Sequence, residues 1–248
     1  MRLLLIAFQF LTIIPLPVGV RCDKDDLGRS TAFFPLVGLA IGALLAGTNW
    51  LISPWIARPL CDALLIALLT LITGALHLDG LADVCDGLAA RGSRERFLAV
   101  MKDSQVGAIG AVGLVLGLLL KWQALVAVPA ELKWQALLIF PVLARFGQVL
   151  AMTGARHARQ DGLGAIFAQG SGKLSFSLAL ATAVASCLFL PGFKGVVALA
   201  AVCLLTVAGR MFFQRKLGGL TGDTIGCISE LNEILALIVV SASPLVIF

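Results

Sequence analysis

Charge is scarce in this sequence: 13% of its 248 residues are Asp, Glu, Lys or Arg, against 59% hydrophobic. With a mean hydropathy of +1.00, that shortage excludes an ordinary soluble domain. The net charge is +5, but the Lys and Arg residues form no patch or stripe. They lie in short segments between apolar runs, which argues against a nucleic-acid surface. The six cysteines include no C-x-x-C pair and no zinc-like spacing, so reduced, structural thiols are expected. No glycine loop is followed by Gly-Lys-Ser/Thr and none has a strand-turn-helix context, which excludes a Walker A loop and the dinucleotide fingerprint. Residues 1–18 carry one basic residue and an apolar run but no small-residue cleavage site ahead of Pro15-Leu16-Pro17. A retained re-entrant or interfacial helix is expected there rather than a cleaved signal.

What is present is a series of apolar windows near the ~20 residues needed to cross the hydrocarbon core. They fall at 32–52, 60–81, 106–128, 134–153, 174–190, 196–213 and 234–247. The expected fold class is all-α: one polytopic helical membrane domain over residues 1–248, with about seven transmembrane helices. Alternating the connections puts segments 1–31, 82–105, 154–173 and 214–233 on one side. With the adjoining span ends, that side holds 14 Lys and Arg residues against Arg58, Lys133 and Lys194 on the other, so the positive-inside rule makes the long segments cytoplasmic. Twelve of the 14 acidic residues share that side, the exceptions being Asp62 and Glu131. Acidic residues contribute little to orientation, so their clustering points to catalysis or cation binding. Glycines such as Gly38, Gly42, Gly110, Gly113 and Gly117 are read as helix-packing positions.

The second window ends in HLDGLADVCDG, residues 77–87. On a helix, Asp79, Asp83 and Asp86 stand at i, i+4 and i+7, one face. Like charges so placed repel, and a divalent cation removes the penalty; hard oxygen ligands suit Mg2+, which takes one or two carboxylates plus water and phosphate oxygens. The competing reading is a solvated acidic helix end. A second group, Lys102-Asp103-Ser104-Gln105, precedes the third window, where Asp103 and Ser104 serve equally as N-cap or oxygen ligand. Arg91, Arg94 and Arg96 between the groups are candidates for phosphate oxygens, although the positive-inside rule alone accounts for them.

A third group, GGLTGDTIG at 218–226, interleaves glycines with Thr221, Gly222 and Asp223. Backbone N–H groups of such a loop approach a phosphate closely, and Asp223 offers a metal ligand. Glu230 and Glu233, placed at the entrance of the last window, either join that shell or favour the helix dipole. Arg145 lies inside the fourth window, where an unpaired cation costs about 2.5–3.5 kcal/mol, so it is expected to pair with the acidic cluster or a substrate phosphate. His77 reads as an interhelical hydrogen bonder or as a general base. Arg156-His157-Ala158-Arg159 and Gly162-Leu163-Gly164 form a basic segment able to cover a ligand.

Three blocks, HLDGLADVCDG, MKDSQVGAIG at 101–110 and GGLTGDTIG with its trailing Glu230 and Glu233, resemble the cobalamin synthase family, as do FQFLTIIPLP at 8–17 and FFPLVG at 33–38. The resemblance implies a membrane-bound adenosylcobinamide-GDP ribazoletransferase. Such an enzyme moves the adenosylcobinamide phosphate moiety to the 5′-hydroxyl of α-ribazole, or of its 5′-phosphate, with release of GMP and a need for Mg2+. On that reading metal binding is expected at Asp79, Asp83, Asp86, Asp223 and Glu230 and catalysis at Asp83, Asp103 and His77, with the acceptor of the alcohol proton left open among Asp103, Asp223 and Glu230. Substrate binding falls to Arg91, Lys102, Ser104, Arg145, Thr221 and Gly222. The expected setting is the bacterial inner membrane with the site facing the cytoplasm. The two substrates and the bilayer are the expected partners, without nucleic acid; a homo-oligomer or other B12-assembly enzymes stay open. The rivals are a CDP-alcohol phosphotransferase or a prenyltransferase, whose aspartate patterns differ, and a transporter, whose acids belong at the midplane and whose repeats are not evident here.

Overall fold

In the computed structural model, all residues except 16–22, 159–165, 168–169 and 243–248 are described. Among the described residues the chain is helical and forms no strand. Helix α1 (Arg2–Leu11) and α2 (Lys24–Ser30) precede a 3-10 turn, Thr31–Phe33, that leads into α3 (Phe34–Ile52). Next come α4 (Arg58–Ile72), α5 (Leu76–Ala89), α6 (Arg94–Val100), α7 (Ala108–Ala127) and α8 (Lys133–Met152). Then follow α9 (Lys173–Cys187), α10 (Lys194–Leu217) and α11 (Gly222–Ser241).

Among the described residues five helical stretches are long and apolar enough to cross a membrane, or six if α4 and α5 form one broken span. The protein is a multi-pass membrane protein, and among the described residues the count of seven is not confirmed. Window 174–190 becomes α9, whose 15 residues extend about 22 Å, short of the ~30 Å core. The last span begins at Gly222, twelve residues ahead of the expected 234, so Glu230 and Glu233 lie inside a helix rather than at its entrance. Window 60–81 is broken: α4 and α5 meet at 91°. Gly74 and Ala75 carry the break, with φ of +60° and +56°, a left-handed conformation that costs alanine about 1–2 kcal/mol. The chain after α1 caps it, since Ile13 N–H donates to Ile72 O at 2.8 Å.

Helix α8 is the buried axis, wrapped by α3, α9, α10 and α11. Its closest approach is to α3: a Cβ on Gly38 would stand 2.6 Å from Pro141 O, and one on Gly42 2.8 Å from Leu137 O. These glycines pack backbones together in lipid, as their spacing predicts. On the face of the short turns Asp62 is fully buried and takes both oxygens' contacts from Lys133 Nζ at 2.9 Å. Lys133 also donates to Leu125 O at 2.6 Å, and Arg58 to Val128 O. The ends of α4, α7 and α8 are thereby tied together, which explains why an acid survives on that side.

Candidate active site

The site is built where α5, turned across the bundle by the bend, meets the N-terminal ends of α7 and α11. Glycines permit the approach: a Cβ on Gly80 would lie 2.6 Å from Asp223 O and 3.0 Å from Asp223 Cα. Around this junction opens a cleft of about 400 Å³, lined by Asp79, Asp83, Asp223, Asp103, Lys102, Ser104, Gln105, Met101 and Val106. Three separate stretches of chain thus deliver four carboxylates and one ammonium group to one volume. Asp103 is held by an Asx turn, its Oδ1 accepting Gln105 N–H at 3.0 Å.

Of the expected one-face trio on α5, the cleft receives Asp79 and Asp83. Asp86 is committed elsewhere: it accepts Gly107 N–H and Gly110 N–H, each at 2.7 Å. Gly107 is the N-cap of α7 and has no side chain to satisfy those donors, so a carboxylate from α5 does so, at the positive end of the α7 dipole. Asp103 and Ser104, expected as possible caps, are not at the cap position. Thr221 caps α11, its Oγ1 accepting Thr224 N–H at 3.2 Å. Neither Thr221 nor Gly222 lines the cleft, although a Cβ on Gly222 would meet nothing within 4 Å.

Glu230, Arg145 and His77 belong to a second, buried assembly. Lys121 Nζ lies 2.5 Å from Glu230 Oε2 and 2.6 Å from Glu233 Oε2. Arg145 Nη1 donates to Glu233 Oε1 at 2.9 Å and to Ser229 Oγ at 3.1 Å. Gln148 Nε2 donates to Ser229 Oγ at 2.8 Å and stands 2.7 Å from His77 Nε2. Arg145 therefore pairs with an acid, as its cost in the membrane predicts, but with one outside the cleft. His77 is an interhelical hydrogen bonder and does not line the cleft. Sequence reasoning missed Lys121 as a partner; its isolation inside an apolar window was the available signal.

The arginines next to the cleft serve the backbone. Arg94 donates to Leu217 O at 2.6 Å and Ala158 O at 3.0 Å, and Arg96 to Ala90 O at 3.2 Å. Arg91 is exposed and does not line the cleft. Residues 156–158 are pinned beside 218–220: Leu220 N–H donates to Arg156 O and Ala158 N–H to Leu220 O, both at 2.9 Å. Burial holds the His157 imidazole below its ordinary 6.5, and neither ring nitrogen has a hydrogen-bond partner among the described residues. Arg159 and residues 162–164 lie outside the described residues.

Among the described residues no three His, Cys, Asp or Glu side chains converge closely enough to hold a metal by themselves. The donor set fits an ion that takes one or two carboxylates and completes its shell with water and substrate oxygens, the habit of magnesium. Asp79, Asp83 and Asp223 are the residues of that chemistry in the cleft.

The family described as Cobalamin-5-phosphate synthase matches residues 3–241. An adenosylcobinamide-GDP ribazoletransferase of Geotalea daltonii is 57% identical over 242 residues, covering 98% of both chains. Its namesake in Pseudomonas syringae pv. syringae is 40% identical, covering 94% of this chain and 96% of its own. That of Caldanaerobacter subterraneus subsp. tengcongensis is 32% identical, covering 96% and 97%. No solved structure matches.

Proposed function

The chain belongs to the cobalamin-5-phosphate synthase family, and from that membership we propose how its cleft performs the transfer. The protein is an adenosylcobinamide-GDP ribazoletransferase. The oxygen of the α-ribazole 5′-hydroxyl attacks the phosphorus on the cobinamide side of the diphosphate, a P–O bond forms, the bond to the GMP oxygen breaks, and the hydroxyl proton passes to a carboxylate. The observation that carries this reading is the convergence of Asp79, Asp83, Asp103 and Asp223 with Lys102 in one cleft.

One or two of Asp79, Asp83 and Asp223 would hold Mg2+, with water and substrate oxygens completing its shell. When bound, magnesium supplies charge neutralisation for the diphosphate and its departing oxygen. Lys102 adds a mobile positive charge at the same place. Asp103, fixed by its turn with one oxygen unused by Gln105, accepts the proton. Ser104 orients the incoming alcohol by hydrogen bonding. The chain lies in the cytoplasmic membrane with the cleft toward the cytoplasm, a sidedness supported by the excess of Lys and Arg on that face.

Purified protein in detergent, assayed for GMP release from the two substrates, tests the proposal. Turnover is expected with magnesium and not after chelation. Asp83→Asn is expected to lower turnover at least a thousandfold while its thermal midpoint stays that of the parent. Undiminished turnover in that variant, or in excess chelator, refutes the cleft as the metal-assisted centre.

A further inference from the structure

The transfer just described uses none of a cluster of four charges buried together between α7, α8 and α11. Lys121, Arg145, Glu230 and Glu233 have side chains no more than 6% exposed. An ion quartet in hydrocarbon roughly breaks even against apolar packing at best, so cohesion alone does not account for it. What it supplies is register. Lys121 Nζ bridges Glu230 and Glu233, an i,i+3 pair one turn apart on α11. A slip of α11 by a single residue moves both carboxylates about 1.5 Å along its axis away from this register.

The N-terminal end of α7 is tied just as closely. Asp86 of α5 grips the N–H groups of Gly107 and Gly110, and a Cβ at those positions would fall 2.8 and 2.9 Å from Asp86 Cγ. From Gly107 to Lys121 the helix runs about 21 Å, and the lysine side chain points back toward the N-terminus. That brings its ammonium level with Glu230 and Glu233, about 10–15 Å below Asp223 on α11. The third side of the triangle is the Gly80 contact with the Asp223 backbone. Two helices carry cleft aspartates, and α7 is bolted to both at sites outside the cleft.

We propose that α7 is a strut whose polar bolts, Asp86 at its N-terminal end and Lys121 about four turns along it, set the separation between Asp79 and Asp83 on α5 and Asp223 on α11. Asp86 and Lys121 are positioning residues, and their catalytic consequence rests on the cleft reading above. A strut of this kind makes the geometry of the acid set independent of whether an ion is bound.

The test uses full-length protein in detergent with spin labels at the exposed Leu88 on α5 and Leu231 on α11, in a background whose native cysteines are replaced by serine. The label-to-label distance is measured without metal or substrate; kcat and the magnesium concentration for half-maximal rate are measured on the unlabelled variants. Lys121→Met is expected to broaden or shift the distance distribution, lower kcat at least tenfold and raise the magnesium half-saturation severalfold. Lys121→Arg is expected to restore all three. Leu125→Ala, a cavity in the same helix, is expected to lower the thermal midpoint and leave the distance and half-saturation unchanged. A folded Lys121→Met protein with the parental distance and half-saturation overturns the inference. If that variant does not fold, Asp86→Asn, which retains one of two acceptors outside the hydrocarbon, decides by the same readouts. A shifted distance beside a fully active Asp83→Asn upholds the strut and refutes the cleft chemistry instead.

Discussion

Replacing Gly80 by alanine isolates the contact that closes the cleft. The new Cβ would stand 2.6 Å from Asp223 O, while ordinary contact begins near 3.4 Å. The N-terminus of α11 must therefore retreat by roughly 0.8 Å, because the obstacle is backbone and no side chain can rotate away. Overpacking of this kind costs about 1–3 kcal/mol, and alanine returns about 1 kcal/mol of helix propensity, leaving a net loss of about 0–2 kcal/mol. The catalytic effect is larger than the stability effect. Displacing a ligand helix by about 1 Å costs on the order of 100-fold in rate when positioning carries the chemistry. GMP release at saturating substrates and magnesium, beside the thermal midpoint in detergent, measures both quantities. Gly47→Ala is the control, since a Cβ there meets nothing within 4 Å; it should keep parental turnover and gain up to about 1 kcal/mol. A Gly80→Ala enzyme with parental kcat would show that the separation of Asp223 from α5 does not matter.

Three further outcomes are expected. Arg94→Ala removes donors to Leu217 O and Ala158 O, a loss of about 1–3 kcal/mol; faster hydrogen exchange at 156–158 checks it, and Arg94→Lys, lacking the planar fork, should restore only part. His157 is depressed below 6.5 by burial, so the proton favours the undocked segment. Docking of 156–158 should therefore hold fully above about pH 6.5 and weaken as pH falls below it, an effect seen as exchange corrected for intrinsic rates and abolished in His157→Gln. Ala75→Gly relieves a left-handed alanine at the α4–α5 bend and should raise the thermal midpoint by an amount equivalent to about 1 kcal/mol; a fall would mean that the bend is held in some other way.

Composition and window length made the helical membrane class legible, and charge clustering located the cleft, because both signals are local sums along the chain. Asp79, Asp83, Asp103 and Asp223 were readable for the same reason: each sits in a short block of polar residues beside an apolar window. Asp86 shares their stripe on α5, and nothing within its own segment tells a ligand from a cap. The distinction comes from Gly107 and Gly110, more than twenty residues on. Glu230 was misplaced into a loop because an apolar window rejects acids, and the two cations that neutralise the pair come from other helices. The break at residues 73–75 left little trace beyond Gly74, since the left-handed Ala75 is sustained by tertiary packing.

The buried quartet also has a consequence for how the chain is made. Lys121 and Arg145 are synthesised well before Glu230 and Glu233, so during biogenesis two helices enter the bilayer each bearing an unmatched cation, at about 2.5–3.5 kcal/mol apiece. Both counter-ions arrive together on the final described helix, which also brings Asp223. Completion of the acidic cleft and relief of the insertion penalty are thus the same late event. A nascent chain halted before residue 222 holds two exposed liabilities that membrane quality control can recognise.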